Sequence, residues 1–136
     1  MIVLDSSFLI AYHNSRDAHH EAAAEIMARF LDGEWERGLL LEYVFLEVVT
    51  VLMARRGPEV ASEVADVLLG ARELELVPCS ELFIEAVEVF RRQKKTRLSF
   101  VDATIVNLAH DRTDGLVATF DRELASARGI HAIPES

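Results

Sequence analysis

The chain has 136 residues, of which 51% are hydrophobic, 23 are acidic and 14 are basic. This composition predicts one globular domain over residues 1–136 and excludes a disordered chain. The net charge of −9 disfavours nonspecific attraction to a polyanion, and the single cysteine excludes an internal disulfide.

The first half of the chain predicts alternating strands and helices. It opens with "MIVLD", a short apolar run of branched residues that ends at an acid, which is typical of a buried strand. The next segments predict a helix, a second helix, a strand and two more helices, over residues 6–13, 16–33, 38–41, 41–57 and 58–73. In the helix of residues 16–33, one packed side is predicted for Ala22, Ile26, Phe30 and Leu31.

The second half continues this alternation without a linker, repeat or low-complexity segment. It predicts a strand, two helices, a strand, a short helix and an edge strand, over residues 74–78, 80–93, 98–109, 115–120, 121–129 and 130–134. Strands separated by helices are typical of a parallel sheet covered on both faces. We therefore predict an α/β fold, a three-layer α/β/α sandwich around a mainly parallel sheet of four to five strands.

Three aspartates lie where predicted strands end or a helix begins. Asp5 ends the first strand, Asp121 follows the strand of residues 115–120, and Asp102 lies in the first turn of the helix of residues 98–109. Ser99 stands three residues before Asp102, the spacing of a capping box. Taken singly, each aspartate is interpreted as a helix-capping or first-turn acid, because anions are stabilised there.

Glu47 occupies a different environment, within the apolar helical segment "YVFLEVVTVLM". Val44 and Val48 share its predicted helical face, so we expect its carboxylate to be buried. A buried carboxylate needs a partner. The alternatives are an ion pair with Arg55 or Arg97, a side chain that reaches out at the helix edge, or a metal site.

The four acids Asp5, Glu47, Asp102 and Asp121 are predicted to converge. Ligands of parallel α/β folds bind beyond the carboxyl ends of the strands, where the first and fourth strands can be neighbours. Four ionised carboxylates cannot crowd together without a cation. Oxygen ligands without histidine or cysteine suit Mg²⁺ or Mn²⁺, and such sites are typical of phosphodiester hydrolysis.

The segment "RRQKKTR" concentrates positive charge in an otherwise acidic chain. Five of the fourteen basic residues lie there: Arg91, Arg92, Lys94, Lys95 and Arg97. One interpretation is a solvated helix C-terminus followed by a loop, since cations favour that end of a helix. The alternative is a surface that contacts phosphate groups.

The order of these motifs resembles the PIN-domain nucleases, and among them the toxins of VapBC-type toxin–antitoxin pairs. The matching segments are "IVLDSSFLI" with Asp5 and Ser7, "LEVVTVL" with Glu47, "LSFVDATIVNLA" with Asp102, and "ATFDREL" with Thr119 and Asp121. The agreement extends over nearly the whole chain, which implies one PIN-like domain over residues 1–136. Glu123 stands where many members of the family carry a further aspartate.

The resemblance implies a Mg²⁺- or Mn²⁺-dependent endoribonuclease. Asp5, Asp102 and Asp121 would be the metal ligands, and Glu47 would orient the attacking water or complete the metal site. Ser7 and Thr119 would hydrogen-bond waters at the metal or a phosphate oxygen. The basic residues 91–97 would hold the RNA backbone near the mouth of the pocket.

The resemblance also implies partners. These are an RNA substrate, a second copy of the chain in a homodimer, and a VapB-type antitoxin that inserts an arginine into the acidic pocket.

No uncharged apolar run is long enough to span a bilayer and no signal peptide is recognisable, so a cytoplasmic protein with no membrane association is expected.

Other protein classes fit the sequence less well. A receiver-like signalling domain would carry a phosphoacceptor aspartate after its third strand, where this chain has "LVPCS". A phosphatase with an aspartate nucleophile would carry a second aspartate where Ser7 stands. A solitary PIN-type RNA-processing nuclease and a catalytically silent interaction module stay open. The neighbouring His13, His19 and His20 are interpreted as a solvated helix start rather than a zinc site.

Overall fold

A computed structural model of the chain describes residues 1–135. Its five strands are β1 (Ile2–Leu4), β2 (Gly38–Leu41), β3 (Leu74–Val77), β4 (Leu116–Ala118) and β5 (His131–Ile133). They form one parallel sheet in the order β3-β2-β1-β4-β5. The sequence predicted these strands, including β5 at an edge.

Helices connect the strands and cover the sheet. They are α1 (Ser6–His13), α2 (His20–Leu31), α3 (Glu42–Arg56), α4 (Pro58–Gly70), α5 (Phe83–Arg92), α6 (Phe100–Arg112) and α7 (Arg122–Ala125). The helix predicted over residues 80–93 begins with a separate 3₁₀ turn, Ser80–Leu82. α1 packs against α2 and α3, α3 packs against α4, and α5 packs against α6. The predicted α/β/α sandwich is confirmed.

The centre of the sheet is formed by β1 and its neighbour β4. All three residues of β1 are buried, as expected for a parallel strand that is covered on both faces. Leu4 lies opposite Ala118 in the parallel register, and the N–H of Asp5 donates to the carbonyl oxygen of Ala118 at 3.0 Å. The segments that follow β1 and β4 therefore begin side by side.

The join between α3 and α4 follows from two residues. Gly57 has a φ of 89°, in the left-handed region that favours glycine, and it ends α3. Pro58 then begins α4, where its missing N–H leaves no helical hydrogen bond unmade. The break between the two helices is therefore encoded locally.

The packed side predicted for α2 was partly wrong. The buried stripe consists of Ala23, Ile26, Met27 and Phe30, which follow the spacing i, i+3, i+4, i+7 of one helical face. Leu31 is 58% exposed and Ala22 is only half-buried, because each lies one residue away from that stripe. Within residues 1–135, no helix is both long and apolar enough to cross a membrane.

Candidate functional site

A cavity of about 560 Å³ opens where β1 and β4 end. Carboxylates from two strand ends, two helices and the α1–α2 loop line it: Asp5, Asp17, Glu47, Asp102 and Asp121. The structure thus brings together the four acids selected from the sequence and adds Asp17. These residues are distant along the chain, so only the fold places them around one cavity.

Asp5 is the most buried of these acids, with 3% of its surface exposed. Its Oδ2 atom accepts hydrogen bonds from Ser7 Oγ and Thr119 Oγ1, both at 2.7 Å. Burial raises the pKa of Asp5, the two hydroxyl groups oppose the rise, and the charge of Asp121 adds to it. Within residues 1–135, Asp5 has no ion-pair partner. A buried carboxylate without a cation is costly and is typical of a functional site.

The hydroxyl groups of Ser7 and Thr119 connect Asp5 with the segment that carries Asp121. Their oxygens lie 3.2 Å apart. The N–H of Phe120 donates to Ser7 Oγ at 2.9 Å, and the N–H of Asp121 donates to Thr119 Oγ1 at 3.0 Å. Each hydroxyl therefore binds both the Asp5 carboxylate and the backbone after β4. These hydrogen bonds hold the segments that carry two mutually repelling acids beside each other.

Asp102 combines a capping role with a position in the acidic cavity. Its N–H donates to Ser99 Oγ at 3.1 Å, and its Oδ2 accepts from the N–H of Ser99 at 3.3 Å, which completes the predicted capping box. Burial raises the pKa of Asp102 to about 6, and the charges of Asp5 and Asp121 contribute to the rise. The carboxylates of Asp5, Asp102 and Asp121 are therefore close enough to interact electrostatically.

Asp121 is the N-cap of the short helix α7. Its Oδ1 accepts from the N–H groups of Glu123 at 2.9 Å and Leu124 at 3.4 Å. The capping interpretation of Asp121 is thus correct, and the same side chain lines the cavity. Glu123 is exposed and does not line the cavity. Glu123, which stands where many PIN proteins carry an aspartate, is therefore not part of this site.

The expectation that Glu47 is buried was wrong. The buried positions of α3 are Val44, Val48 and Leu52, whereas Glu47 is exposed. Its carboxylate lines the cavity, and its Oε1 accepts a hydrogen bond from Ser6 Oγ. In the part of the chain that the structure describes, Glu47 forms no ion pair with arginine. Of the alternatives left open, the ion pair is not present, and the side chain extends from the exposed edge of α3 into the acidic cavity.

The basic segment of residues 91–97 does not line the cavity. Arg91 and Arg92 lie at the exposed end of α5, each 3.9 Å from a carboxylate oxygen of Glu88. The basic side chains that do line the cavity are His19 and Arg55. Sequence reasoning missed them as site residues.

The helical spacing of residues along α3 could have predicted that Arg55 lies at the site. It lies eight residues after Glu47, with Val51 between them, and all three residues line the cavity. An i, i+4, i+8 row follows one helical face. His19 had no comparable sequence signal, because its position depends on a contact with a segment distant in the chain.

The donor set of the cavity fits a hard divalent cation in its chemistry. The acidic side chains that line it are all carboxylates, which are the ligands that such a cation prefers. Burial and the charges of nearby acids raise the pKa of Asp5 and of Asp102, and a bound cation would relieve that cost. The distances between these carboxylates are too long for a closed metal site. In residues 1–135, no three histidine, cysteine, aspartate or glutamate side chains are close enough to hold one ion in their present positions. The carboxylates would therefore have to move together to bind a metal.

The fold and the cavity together define a class of protein. It is a parallel α/β sandwich with carboxylates around the ends of its central strands. The sequence model of the PIN domain matches residues 2–130, and the chain belongs to the PIN domain family. The resemblance stated from the sequence motifs is confirmed.

Solved structures agree with this assignment. VapC20 of Mycobacterium tuberculosis, a toxin that cleaves the sarcin–ricin loop, superposes with a TM-score of 0.84 at 25% identity, over 96% of this chain and 97% of that chain. The Pyrobaculum aerophilum protein PAE2754 superposes with a TM-score of 0.57 at 24% identity, over 98% of this chain and 83% of that chain. The chain is thus of the VapC type in its fold. Comparison with the curated proteins gives no match.

Proposed function

We propose that the protein is a metal-dependent endoribonuclease that hydrolyses RNA phosphodiester bonds and acts as the toxin of a type II toxin–antitoxin pair. The observation that carries this proposal is the cavity itself. Asp5, Glu47, Asp102 and Asp121 come from four separate segments and line one opening at the carboxyl ends of β1 and β4. PIN family membership and the similarity to VapC20 support the same reaction class.

Asp5, Asp102 and Asp121 are the proposed ligands of Mg²⁺ or Mn²⁺. Each carries at least one carboxylate oxygen held by hydrogen bonds from hydroxyl or backbone N–H groups. A bound divalent ion supplies charge neutralisation for the phosphate and lowers the pKa of water. It would also relieve the cost of holding Asp5 and Asp102 ionised, which the raised pKa values of these two acids indicate.

Glu47 is proposed to orient the water that attacks phosphorus. Its carboxylate is exposed to the cavity and is held by the Ser6 hydroxyl, so it can accept a proton from water without leaving its position. Ser7 and Thr119 are proposed to position the Asp5 carboxylate with their hydroxyl protons and to accept hydrogen bonds from waters at the metal. The backbone N–H groups after β4 donate to both hydroxyl oxygens and hold them beside Asp5.

The basic segment of residues 91–97 is proposed to contact the RNA backbone outside the cavity. The segment continues directly into Ser99 and Asp102 at the cavity edge, so a strand of RNA that leaves the cavity can reach it. Basic side chains neutralise phosphate charge without reading the sequence. This contact would offset the net charge of −9.

The proposed protein partners follow from the VapC-type fold. A VapB-type antitoxin would place an arginine in the acidic cavity, where carboxylates with raised pKa values gain most from a cation. A homodimer is proposed on the same family grounds. An RNA substrate and an antitoxin would place the protein in the cytoplasm.

The proposal is tested by incubating purified protein with labelled, structured RNA in Mg²⁺ or Mn²⁺. An EDTA control and the Asp102→Asn variant accompany the wild type. Asparagine keeps an oxygen acceptor for the Ser99 N–H, so the capping box survives the change. Asp111→Asn is the matched control, because Asp111 is exposed on the same helix and lies outside the cavity lining.

Cleavage that needs metal, disappears in Asp102→Asn and persists in Asp111→Asn is the expected result. Cleavage that persists in Asp102→Asn would remove Asp102 from the mechanism. A wild-type protein that neither cleaves RNA nor binds metal would leave the catalytically silent interaction module as the better description. Growth arrest on expression, relieved by a small protein encoded next to this one, would separate a toxin from a solitary RNA-processing nuclease.

A further inference from the structure

The rings of His19 and Phe120 stack on each other at the cavity. Their centroids lie 4.5 Å apart and their planes differ by 8°. Both residues line the cavity that holds the five carboxylates, yet they are distant from each other along the chain. Neither side chain can ligate a hard cation as a carboxylate would, so the proposed metal chemistry leaves this pair unused.

Hydrogen bonds of the backbone hold the two segments that carry the stacked rings. Phe120 lies between Thr119 and Asp121, and its N–H donates to Ser7 Oγ at 2.9 Å. On the other side, the N–H of His19 donates to Asp17 Oδ1 at 2.8 Å, just before α2 begins. These hydrogen bonds place both rings beside the acidic cavity.

The two rings differ in exposure. Phe120 is half-buried and packs against the hydrophobic core, whereas His19 is exposed. One face of the imidazole covers Phe120, and the exposed side chain leaves further ring surface open at the cavity. If the pair served packing alone, both rings would gain from being covered by the protein.

We propose that the His19–Phe120 pair is a stacking platform for an unpaired RNA base beside the bond that is cut. This inference rests on the proposed ribonuclease function. The base lies on the open face of the imidazole, and its phosphate enters the acidic cavity. Stacking requires a base that has left its helix, so the platform selects single-stranded or looped RNA. It does not select one base, because every base has a π face.

The test uses the shortest synthetic RNA that contains the cut site found with the wild type. His19→Ala removes the platform surface and is expected to raise KM about 5- to 100-fold with little change in kcat, as expected for the loss of one base–aromatic stack. His19→Phe keeps a ring and should stay within about twofold of wild type. His131→Ala is the control, since it removes an exposed histidine outside the cavity lining.

A second measurement separates stacking from a structural effect. An RNA in which the nucleotide next to the cut lacks its base should bind more weakly than the intact RNA to the Asp102→Asn protein. Adding His19→Ala to that protein should abolish the difference between the two RNAs. Melting temperatures of all the variants are compared, because loss of a mere packing contact lowers stability without this RNA-specific coupling.

Two results overturn the platform while leaving the nuclease intact. One is metal-dependent cleavage with the same KM in His19→Ala and wild type. The other is a His19→Phe protein as impaired as His19→Ala, which would make the imidazole nitrogens rather than the ring face responsible. A wild type that cuts no RNA overturns the nuclease proposal and the platform with it, and is recognised at once from the cleavage assay.

Discussion

The acids that follow β1 and β2 lie in contrasting environments, although both strands belong to the same sheet. At the end of β2, Glu42 accepts the N–H of Cys79 at 2.8 Å, and Cys79 Sγ accepts the N–H of Tyr43 at 3.3 Å. This pair of contacts closes the segments after β2 and β3 onto each other. At the end of β1, two hydroxyl groups bind Asp5, and burial together with the charge of Asp121 raises its pKa.

The difference shows how a structural acid can be distinguished from a site acid. Glu42 is exposed and satisfies a backbone donor, so it stabilises the fold at little electrostatic cost. The arrangement around Asp5 costs free energy in the absence of a cation. Because such a cost is typical of functional sites, we propose that the β1–β4 end of the sheet, rather than the β2–β3 end, is the reactive one.

The largest expected effect is on catalysis, from Asp5→Asn compared with Glu42→Ala. Loss of a metal-binding carboxylate should lower the RNA cleavage rate more than about 100-fold, because even indirect contacts to a metal are worth about 10- to 100-fold. Glu42→Ala should cleave at the wild-type rate. Initial cleavage rates of both variants are measured at saturating Mn²⁺. Equal rates for Asp5→Asn and wild type would contradict the proposed functional difference between the acids after β1 and β2.

The next largest effect is expected for Thr119→Val, which keeps the shape and removes a hydrogen bond to Asp5. Cleavage should fall about 10- to 100-fold, because Thr119 orients a proposed ligand. The free energy of unfolding should fall about 1–3 kcal/mol, since a buried carboxylate loses a donor. Thr113→Val is the control: Thr113 is also buried and hydrogen-bonded, but to backbone carbonyls away from the cavity. It should lose stability and keep its cleavage rate.

A third prediction concerns stability and pH in EDTA. The pKa of Asp102 is about 6 in the folded protein, against an ordinary value of 3.8. Between these values the folded state binds more protons than the unfolded state, so stability falls as pH rises. Asp102→Asn should remove this fall and be more stable than wild type at pH 7 by about 1–2 kcal/mol, discounted for partial exposure. Urea unfolding at pH 4 and pH 7 measures it, and parallel pH profiles for both proteins would refute it.

The smallest effect is the stability change of Glu42→Ala itself. Removing the acceptor of the Cys79 N–H should cost about 1 kcal/mol. The loss should be independent of added Mn²⁺, since Glu42 does not line the cavity. Urea unfolding with and without Mn²⁺ gives the result, and a Mn²⁺-dependent change would mean that the two strand ends communicate.

The fold and most of the acids around the cavity could be predicted from local patterns. Apolar branched runs gave the strands, and the spacing of Ser99 and Asp102 gave a capping box that the structure contains. The adjacency of Asp5 and Asp121 followed from the parallel order of strands, because β1 pairs with β4. These are consequences of periodicity and topology, which the sequence carries directly.

The burial of Glu47 could not be predicted in the same way. α3 is apolar around much of its circumference, yet Leu46 and Met53 are 60% and 51% exposed. An apolar neighbourhood along the chain therefore does not locate the buried face of this helix. The positions of Arg55, His19 and the basic segment depend on which elements meet around the cavity, and no local pattern contains that information.

The most direct test of the central claim is a calorimetric titration of Mn²⁺ into metal-free wild type, Asp102→Asn and Asp111→Asn. We expect saturable binding by the wild type and by Asp111→Asn, and binding weakened at least about tenfold in Asp102→Asn. Equal binding by all three proteins would place the ion elsewhere. No binding by the wild type would contradict the proposal that the carboxylates at the ends of β1 and β4 hold a cation.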